Sequence, residues 1–528
     1  MSEHEPMSCG RALLPPELWG LILSYLSKKD QRSCLSVSTS LYVLARRLIF
    51  SHITIHFGMW TIRQYHVESE FRLTKRRKLV NAITLQRIAR YPRFARLIKK
   101  FSVRAQTFDS GFQWSASESA SAIKRIIVAL KSIPHLQSFQ WYGSYPPIPT
   151  SVLQALAETS YASTLKEISI CGILSFDGNA SQYLAQFKSL QTLLVAGNSN
   201  LDDYAQPTAR LMLKDYVPHV HPTLRYLTLP GDSLWHAPQH VFSGLHELSL
   251  HNPASLEDFS VILQHCSQLQ TLNLRIDNWD CSDELLAALE AAPDSLPHLT
   301  SFKLLCDNDV FDFVPLTLTT FFKNKPMMRR LDLRFELLFE DVDELAYFLD
   351  IIAGLPRLEV IGLRLECADF THEHLQLLDA RLPLHLSALL LAWAFDPDYG
   401  SNTVAERDWI AMVRPKAPSP DLSLTVPPLA PYQLKRRQSL GYFHVLDNAG
   451  TLDLRDALLR DRPRSLELVG YGGCLCSIER DPATGASFYG TPWTEEALGF
   501  GTAEDFGCDD WEWLVRYHKW DGLVRFWA

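Results

Sequence analysis

One pattern of apolar and variable positions dominates the middle of the chain. An apolar residue is followed by two variable positions, a second apolar residue, one variable position and a third apolar residue. It stands at Leu136/Phe139/Trp141, Leu165/Ile168/Ile170, Leu190/Leu193/Val195, Leu224/Leu227/Leu229 and Leu245/Leu248/Leu250. It continues at Leu269/Leu272/Leu274, Leu299/Phe302/Leu304, Met328/Leu331/Leu333, Leu358/Ile361/Leu363 and Leu386/Leu389/Leu391. Successive starts lie 21 to 34 residues apart, about 28 on average. The last two apolar positions of each match alternate with period two, as in a short strand buried on one face. Helical stretches such as 255–266, 284–292 and 342–353 lie between the matches. A strand plus a helix, repeated at this period, predicts an α/β solenoid with parallel strands on the concave side and helices on the convex side. Ten strands at ~4.8 Å make a concave sheet roughly 45 Å along. An earlier match, Ile98/Phe101/Val103, is expected to form a first, capping strand.

A different pattern fills Leu13 to Ile55. Pro16 stands where the first turn of a helix tolerates proline, with Glu17 favourable beside it. Leu18, Ile22, Tyr25 and Leu26 recur at helical spacing, as do Trp19 and Leu23. A polar break at Lys28 to Asp30 precedes a second helix with Cys34, Leu35 and Val37. A third carries Leu41, Leu44, Ala45 and Leu48. Three short helices make a very small core, which usually needs a partner or an attached domain. The first helix holds more apolar side chains than one buried face can use, and that excess points to an interface.

Composition then narrows the classes. At 528 residues the chain exceeds one compact core. A formal net charge of -8 argues against a general nucleic-acid binder. Ten scattered cysteines are too sparse to staple so long a chain and read as reduced thiols, placing the protein in the cytoplasm, the nucleus or both. No segment has the ~18–20 continuous apolar residues of a membrane span, and no signal peptide is visible at the N-terminus. Charge is uneven. Residues 58–104 hold thirteen Lys and Arg against Glu68 and Glu70, whereas 495–512 hold seven acids and no base. The run Lys75-Arg76-Arg77-Lys78 is either a solvated helix face or a short import signal.

The Leu-Pro-x-Glu-Leu start at Leu14, the Ile-Leu-x-x-Leu continuation and the later Leu-Ala-Arg step resemble an F-box, with an ending similar to the fungal form. Gln31, Arg32 and Ser33 depart from the more apolar second helix of that family, and a generic three-helix cap for the repeats is the other reading of this segment. The resemblance implies docking on the Skp-family adaptor of a cullin–RING (SCF-type) ubiquitin ligase. Carried over by motif position, Leu14, Pro15, Leu18, Ile22, Leu23, Leu26 and Val37 would line that contact. The repeats resemble leucine-rich repeats, with Asn198 where that family's Asn ladder belongs and Asp277/Asn278 and Asp307/Asn308 at or beside it. The expected organisation is a disordered tail over 1–10, an F-box over 11–57, and a basic linker with a capping repeat over 58–130. The solenoid follows over 131–395, then a Pro-rich linker over 396–432 and a mixed α+β cap over 433–528. A helix over Leu79 to Tyr91 should tie the F-box to the first repeat. The family role implied is a non-catalytic substrate adaptor. The alternative is a repeat scaffold whose F-box serves an assembly without ubiquitination.

The variable positions of the array face outward on the concave side. Early repeats offer Gln140, Tyr142, Glu167, Ser169 and Thr192, which carry little net charge. Later ones offer Arg275, Lys303, Arg330, Asp332, Arg334 and Arg364. The five bases among them would receive an acidic or phosphorylated segment of a protein substrate, unless they are simply a solvated face. The aromatic, acidic C-terminus (Trp493, Phe506, Trp511, Trp513 among others) is expected to cap the last repeats. It could alternatively form a substrate platform, or pair with the concave bases and occlude them. No cofactor is implied. Cys474, Cys476, Cys508 and His518 match no common zinc spacing, and there is no phosphate loop or nucleophile elbow.

Overall fold

The chain is described from a computed structural model, which covers residues 14–26, 28–57, 67–105, 115–143, 146–172, 174–176, 179–196, 213–219, 222–230, 234–235, 237–276, 280–306, 315–338, 342–366, 372–393, 439–446, 459, 463–471, 474–493, 498 and 506–516. The Asn198, Asp277/Asn278 and Asp307/Asn308 positions, the Pro-rich stretch and His518 lie outside these residues.

Three helices open the chain: α1 (Pro16–Ser24), α2 (Lys28–Cys34) and α3 (Thr39–Ile49). Pro16 begins α1, with Glu17 in its first turn. Ser38 caps α3, its hydroxyl accepting from the Leu41 N–H at 3.2 Å. The sheet follows at once as β1 (His52–His56), which lies within the range expected for the first module. After α4 (Val67–Arg90) come β2 (Lys100–Arg104), α5 (Ala116–Ser132), β3 (Ser138–Tyr142), β4 (Glu167–Cys171), β5 (Thr192–Ala196), β6 (Tyr226–Pro230), β7 (Glu247–His251), β8 (Thr271–Ile276), β9 (Ser301–Cys306), β10 (Arg330–Leu338), β11 (Val360–Glu366) and β12 (Ala388–Trp393). A Ser115–Glu118 capping box starts α5, and Lys78 of α4 bonds Glu118 at 3.0 Å, joining the two helices.

The expected end of the solenoid at 395 is corrected. β13 (Tyr442–Leu446) and β14 (Leu468–Tyr471) extend the parallel sheet, each pairing with the strand before it. Only then does direction reverse, with β15 (Cys474–Arg480) and β16 (Ser487–Tyr489) added antiparallel. The turn between them is closed by Gly485 N–H donating to Asp481 O at 2.8 Å. The sixteen strands form one sheet in chain order. At about 4.8 Å per step, β1 to β14 follow roughly 60 Å of arc.

The repeated apolar positions face the helices, and one continuous core runs along them from Ile53 through Trp141, Leu250 and Leu363 to Val469. Helices fill the gaps between strands much as the pattern predicts: Asp280–Ala291 against the expected 284–292, and Val342–Ala353 over the expected 342–353. The stretch 255–266 is a 3-10 turn, Glu257–Phe259, running into a short helix, Ser260–His265. No helix among the described residues is long and apolar enough to cross a membrane.

Candidate functional site

Two surfaces stand out, and the first is the outer face of α1. Leu14, Leu18, Leu21 and Ile22 are each more than 40 % exposed, Tyr25 is 82 % exposed, and Pro15 and Leu26 are also at the surface. Val37, in the α2–α3 connection, is 65 % exposed. Leu23 is a correction: at 2 % exposure it is buried instead of facing solvent, because the helical turn of about 100° per residue takes it off the exposed stripe of Leu18 and Ile22. Gln31 also has a structural task. Its buried side-chain amide donates to the carbonyls of Leu23 and Leu26, both at 3.0 Å, and so holds the C-terminal end of α1. An apolar residue there would leave those carbonyls unmet.

The second surface is the concave side of the sheet. Register aligns its side chains in rows across the strands. One row reads Ser102, Gln140, Ser169, Leu194, Thr228, Ser249, Asn273, Lys303, Asp332, Gly362, Leu390. The adjacent row reads Lys100, Ser138, Glu167, Thr192, Tyr226, Glu247, Thr271, Ser301, Arg330, Val360, Ala388, Tyr442, Leu468. Both rows are polar at the start, charged in the middle and apolar at the end.

The apolar end is covered by the chain itself. A helix, α6 (Asp509–Val515), lies on the concave face. Leu498, Phe506, Trp513, Leu514 and Val515 bury against Val360, Ala388, Leu390, Tyr442, Leu468 and Leu475 as a second core. At roughly 1.5–3 kcal/mol for each large apolar side chain, this contact is worth on the order of 10 kcal/mol before the entropy of ordering is subtracted. That makes α6 a fixed part of the solenoid.

The charged middle is where α6 is anchored. Asp510 accepts from Arg329 and Arg330, each with a contact of 2.6 Å. Trp513 donates its indole N–H to Asn273 Oδ1 at 3.2 Å, and Asn273 in turn donates to Ser249 Oγ at 2.9 Å. The Lys303 ammonium sits 3.0 Å from Asp332 and 4.6 Å from the centre of the Trp513 ring. It also donates to the carbonyls at the end of α6, Leu514 O at 3.2 Å and Arg516 O at 3.0 Å. A cation at a helix C-terminus meets both orphan carbonyls and the negative end of the dipole. Burial pulls the Lys303 ammonium down to about 8, with Asp332 opposing. Burial likewise pushes the Asp332 carboxyl upward against the pull of Lys303. Gly362 is required here, since a Cβ on it would come within 2.2 Å of Asp332 Oδ1 and 3.0 Å of Leu514.

These contacts correct the expected basic patch. Lys303 is 1 % and Arg275 5 % exposed, and Arg330 is held by Asp510. Arg334 and Arg364 are half-buried at the same end of the sheet. Two of the five bases, Lys303 and Arg330, form part of the seat of α6 and are not an open anion receptor. The signal missed in the sequence was the apolar character of Val360, Ala388, Leu390, Tyr442 and Leu468 at outward positions, which demands a cover.

A cleft of about 360 Å³ has the concave face from β2 to β7 as its floor and Glu512 and Arg516 of the C-terminal segment as its wall. Its floor is ordered by a ladder of side chains. His52 Nε2 meets Ser102 Oγ at 2.8 Å, Ser102 donates to Gln140 Oε1 at 2.9 Å, and Gln140 donates to Glu167 Oε1 at 2.6 Å. Ser169 donates to the same Glu167 oxygen at 3.0 Å. Among the described residues, no group of three or more His, Cys, Asp or Glu could hold a metal.

Residues 12–52 match the F-box domain family. The N-terminal module is an F-box. The array behind it is a leucine-rich-repeat-like solenoid, α/β overall, and solved structures resemble the chain at low identity. One is the leucine-rich repeat-containing protein LegL7 from Legionella pneumophila, 17 % identical, covering 58 % of this chain and 93 % of that one with a TM-score of 0.32. Another is the complex of Rad7 and Elc1 from yeast, 12 % identical, covering 74 % of this chain and 90 % of that one with a TM-score of 0.36. A search of curated protein sequences gives no match.

Proposed function

We propose that this F-box protein is a non-catalytic adaptor of a cullin–RING ubiquitin ligase. Its F-box docks on a Skp-family adaptor, and its solenoid holds a protein substrate for ubiquitin transfer by other subunits. The observation that carries this reading is the apolar face of α1. Leu14, Leu18, Leu21, Ile22 and Tyr25 are exposed together inside the F-box match, in a molecule whose repeats otherwise bury their leucines. Soluble proteins rarely leave such a patch to solvent without a partner. Holding a substrate near the transfer machinery raises the effective concentration of its lysines and needs no active-site residue in the receptor.

The test is co-purification of the full chain with a Skp-family adaptor and a cullin, in parallel with a Leu18→Asp/Ile22→Asp variant. Two buried carboxylates in an apolar interface should abolish capture of both partners and leave the circular dichroism unchanged. Capture of the adaptor without cullin would favour a scaffold role instead. Full capture by the variant would remove α1 as the docking face.

A further inference from the structure

With α6 seated over the later repeats, the cleft before it offers a ligand a lining whose chemistry differs from that of the buried basic cluster. Its floor presents two carboxylates. Glu167 receives both of its hydrogen bonds, from Gln140 and Ser169, on Oε1, so its position is set while Oε2 faces away from those donors. The Glu247 side chain accepts no hydrogen bond among the described residues, and burial pushes its carboxyl upward against the pull of Arg516 and Arg330. It is register partner to Tyr226, whose ring is 44 % exposed. Thr228, on the same strand as Tyr226, is 5 % exposed and lines the cleft, and its hydroxyl has no hydrogen-bond partner among the described residues. Two cations border the cleft: Lys100 at its far rim, and Arg516, which pairs with Glu512 on the wall and also draws on Glu247. An arriving anion would meet Glu167 and Glu247. An arriving guanidinium or ammonium would meet a pre-set carboxylate at one end, and a carboxylate beside an exposed aromatic ring at the other.

Spacing refines the ligand. Glu167 and Glu247 lie on β4 and β7, three strand steps apart. At ~4.8 Å per step that is about 14 Å, the reach of about four residues of extended chain. We propose that the cleft binds an extended segment of a protein substrate bearing two basic side chains about four residues apart, one at Glu167 and one between Tyr226 and Glu247. This rests on the reading of the concave face as the substrate side of the adaptor, and it reverses the acidic or phosphorylated ligand that the concave bases first implied.

The probe is an array of ten-residue peptides in a Gly/Ser/Ala background. Each carries paired Arg, paired Asp, paired phosphoserine or paired Ala at separations of two to six residues, and the array is exposed to the full chain. Paired Arg at a separation of four should be retained best. Glu167→Gln and Glu247→Gln, which keep the side chain's size, should each weaken that binding roughly tenfold, and Tyr226→Ala less. Preference for paired Asp or phosphoserine would overturn the proposal, as would paired-Arg binding that both Gln variants leave intact. Adaptor capture is measured on the same preparations. Capture with no peptide preference sinks the cleft proposal alone. Peptide preference without capture sinks the ligase reading alone.

Discussion

His251 illustrates what the concave face asks of single residues. It is 8 % exposed on β7, register partner to Arg275. Burial, reinforced by Arg275 and Arg516, pulls its imidazole down to about 3. In the unfolded chain it would take a proton near pH 6.5. Between these values the unfolded state binds a proton that the folded state refuses, so stability is lost as pH falls from about 6.5 toward 3. The loss approaches about 1.4 kcal/mol per pH unit. Thermal melts at pH 7 and pH 5 should therefore show a larger drop for the wild type than for His251→Gln. Parallel drops would mean that His251 does not carry this dependence. At the same scale, the inward Leu and the outward Gln and Ser positions were legible in the sequence because strand alternation fixes them. The inward turn of Leu23 was harder to read, because α1 is apolar on more than one face and spacing alone does not say which face the small core takes.

At the scale of elements, the repeat strands and the helices between them were legible because each is a local pattern with its own period. That the aromatic C-terminus returns onto the last repeats was legible, but which strands and side chains seat α6 was not, because its seat depends on contacts across about 200 residues, such as Lys303 with Leu514 and Arg516. Half of the information was nevertheless present. Polar outward positions in the early repeats change to Val360, Ala388, Leu390, Tyr442 and Leu468 in the late ones, and an aromatic C-terminus with seven acids is long enough to return. Asp510 to Arg329 and Arg330 sets where it lands. Trp513→Ala removes the ring that packs on Lys303 and Arg330 and the donor to Asn273. Truncating a large buried aromatic residue of this kind costs about 3–5 kcal/mol. Removing residues 494–528 altogether should bare the apolar end of the concave sheet, giving strong binding of a hydrophobic dye and loss of soluble protein. An unchanged melting temperature for Trp513→Ala would instead make α6 a loosely held lid.

At the scale of the molecule, the F-box and the solenoid share a backbone with almost no slack. α3 ends at Ile49 and β1 begins at His52. β1 pairs with β2 over five residues, and Ile53 and Ile55 enter the main core. Phe50 packs edge-on to Phe94 with ring centres 5.3 Å apart, and Asn81 of α4 donates to His56 O at 2.6 Å. The F-box therefore cannot swing without peeling the first strand off the sheet. The cleft begins at β2, one strand away, so the docking face of α1 and the proposed substrate segment are held at a fixed separation. This rigidity serves an adaptor because transfer depends on where the substrate is held, and a tether of free residues would spread that position. A twelve-residue Gly/Ser insertion between Phe50 and Ser51 would separate the two functions. Capture of the Skp-family adaptor should survive, since α1 is intact, and so should retention of the paired-Arg peptide, since the cleft is intact. Transfer of ubiquitin to a fusion bearing that peptide should fall several-fold in a reconstituted ligase. Equal transfer with and without the insertion would show that proximity alone suffices, and that the tight junction at Ser51 serves stability and not geometry.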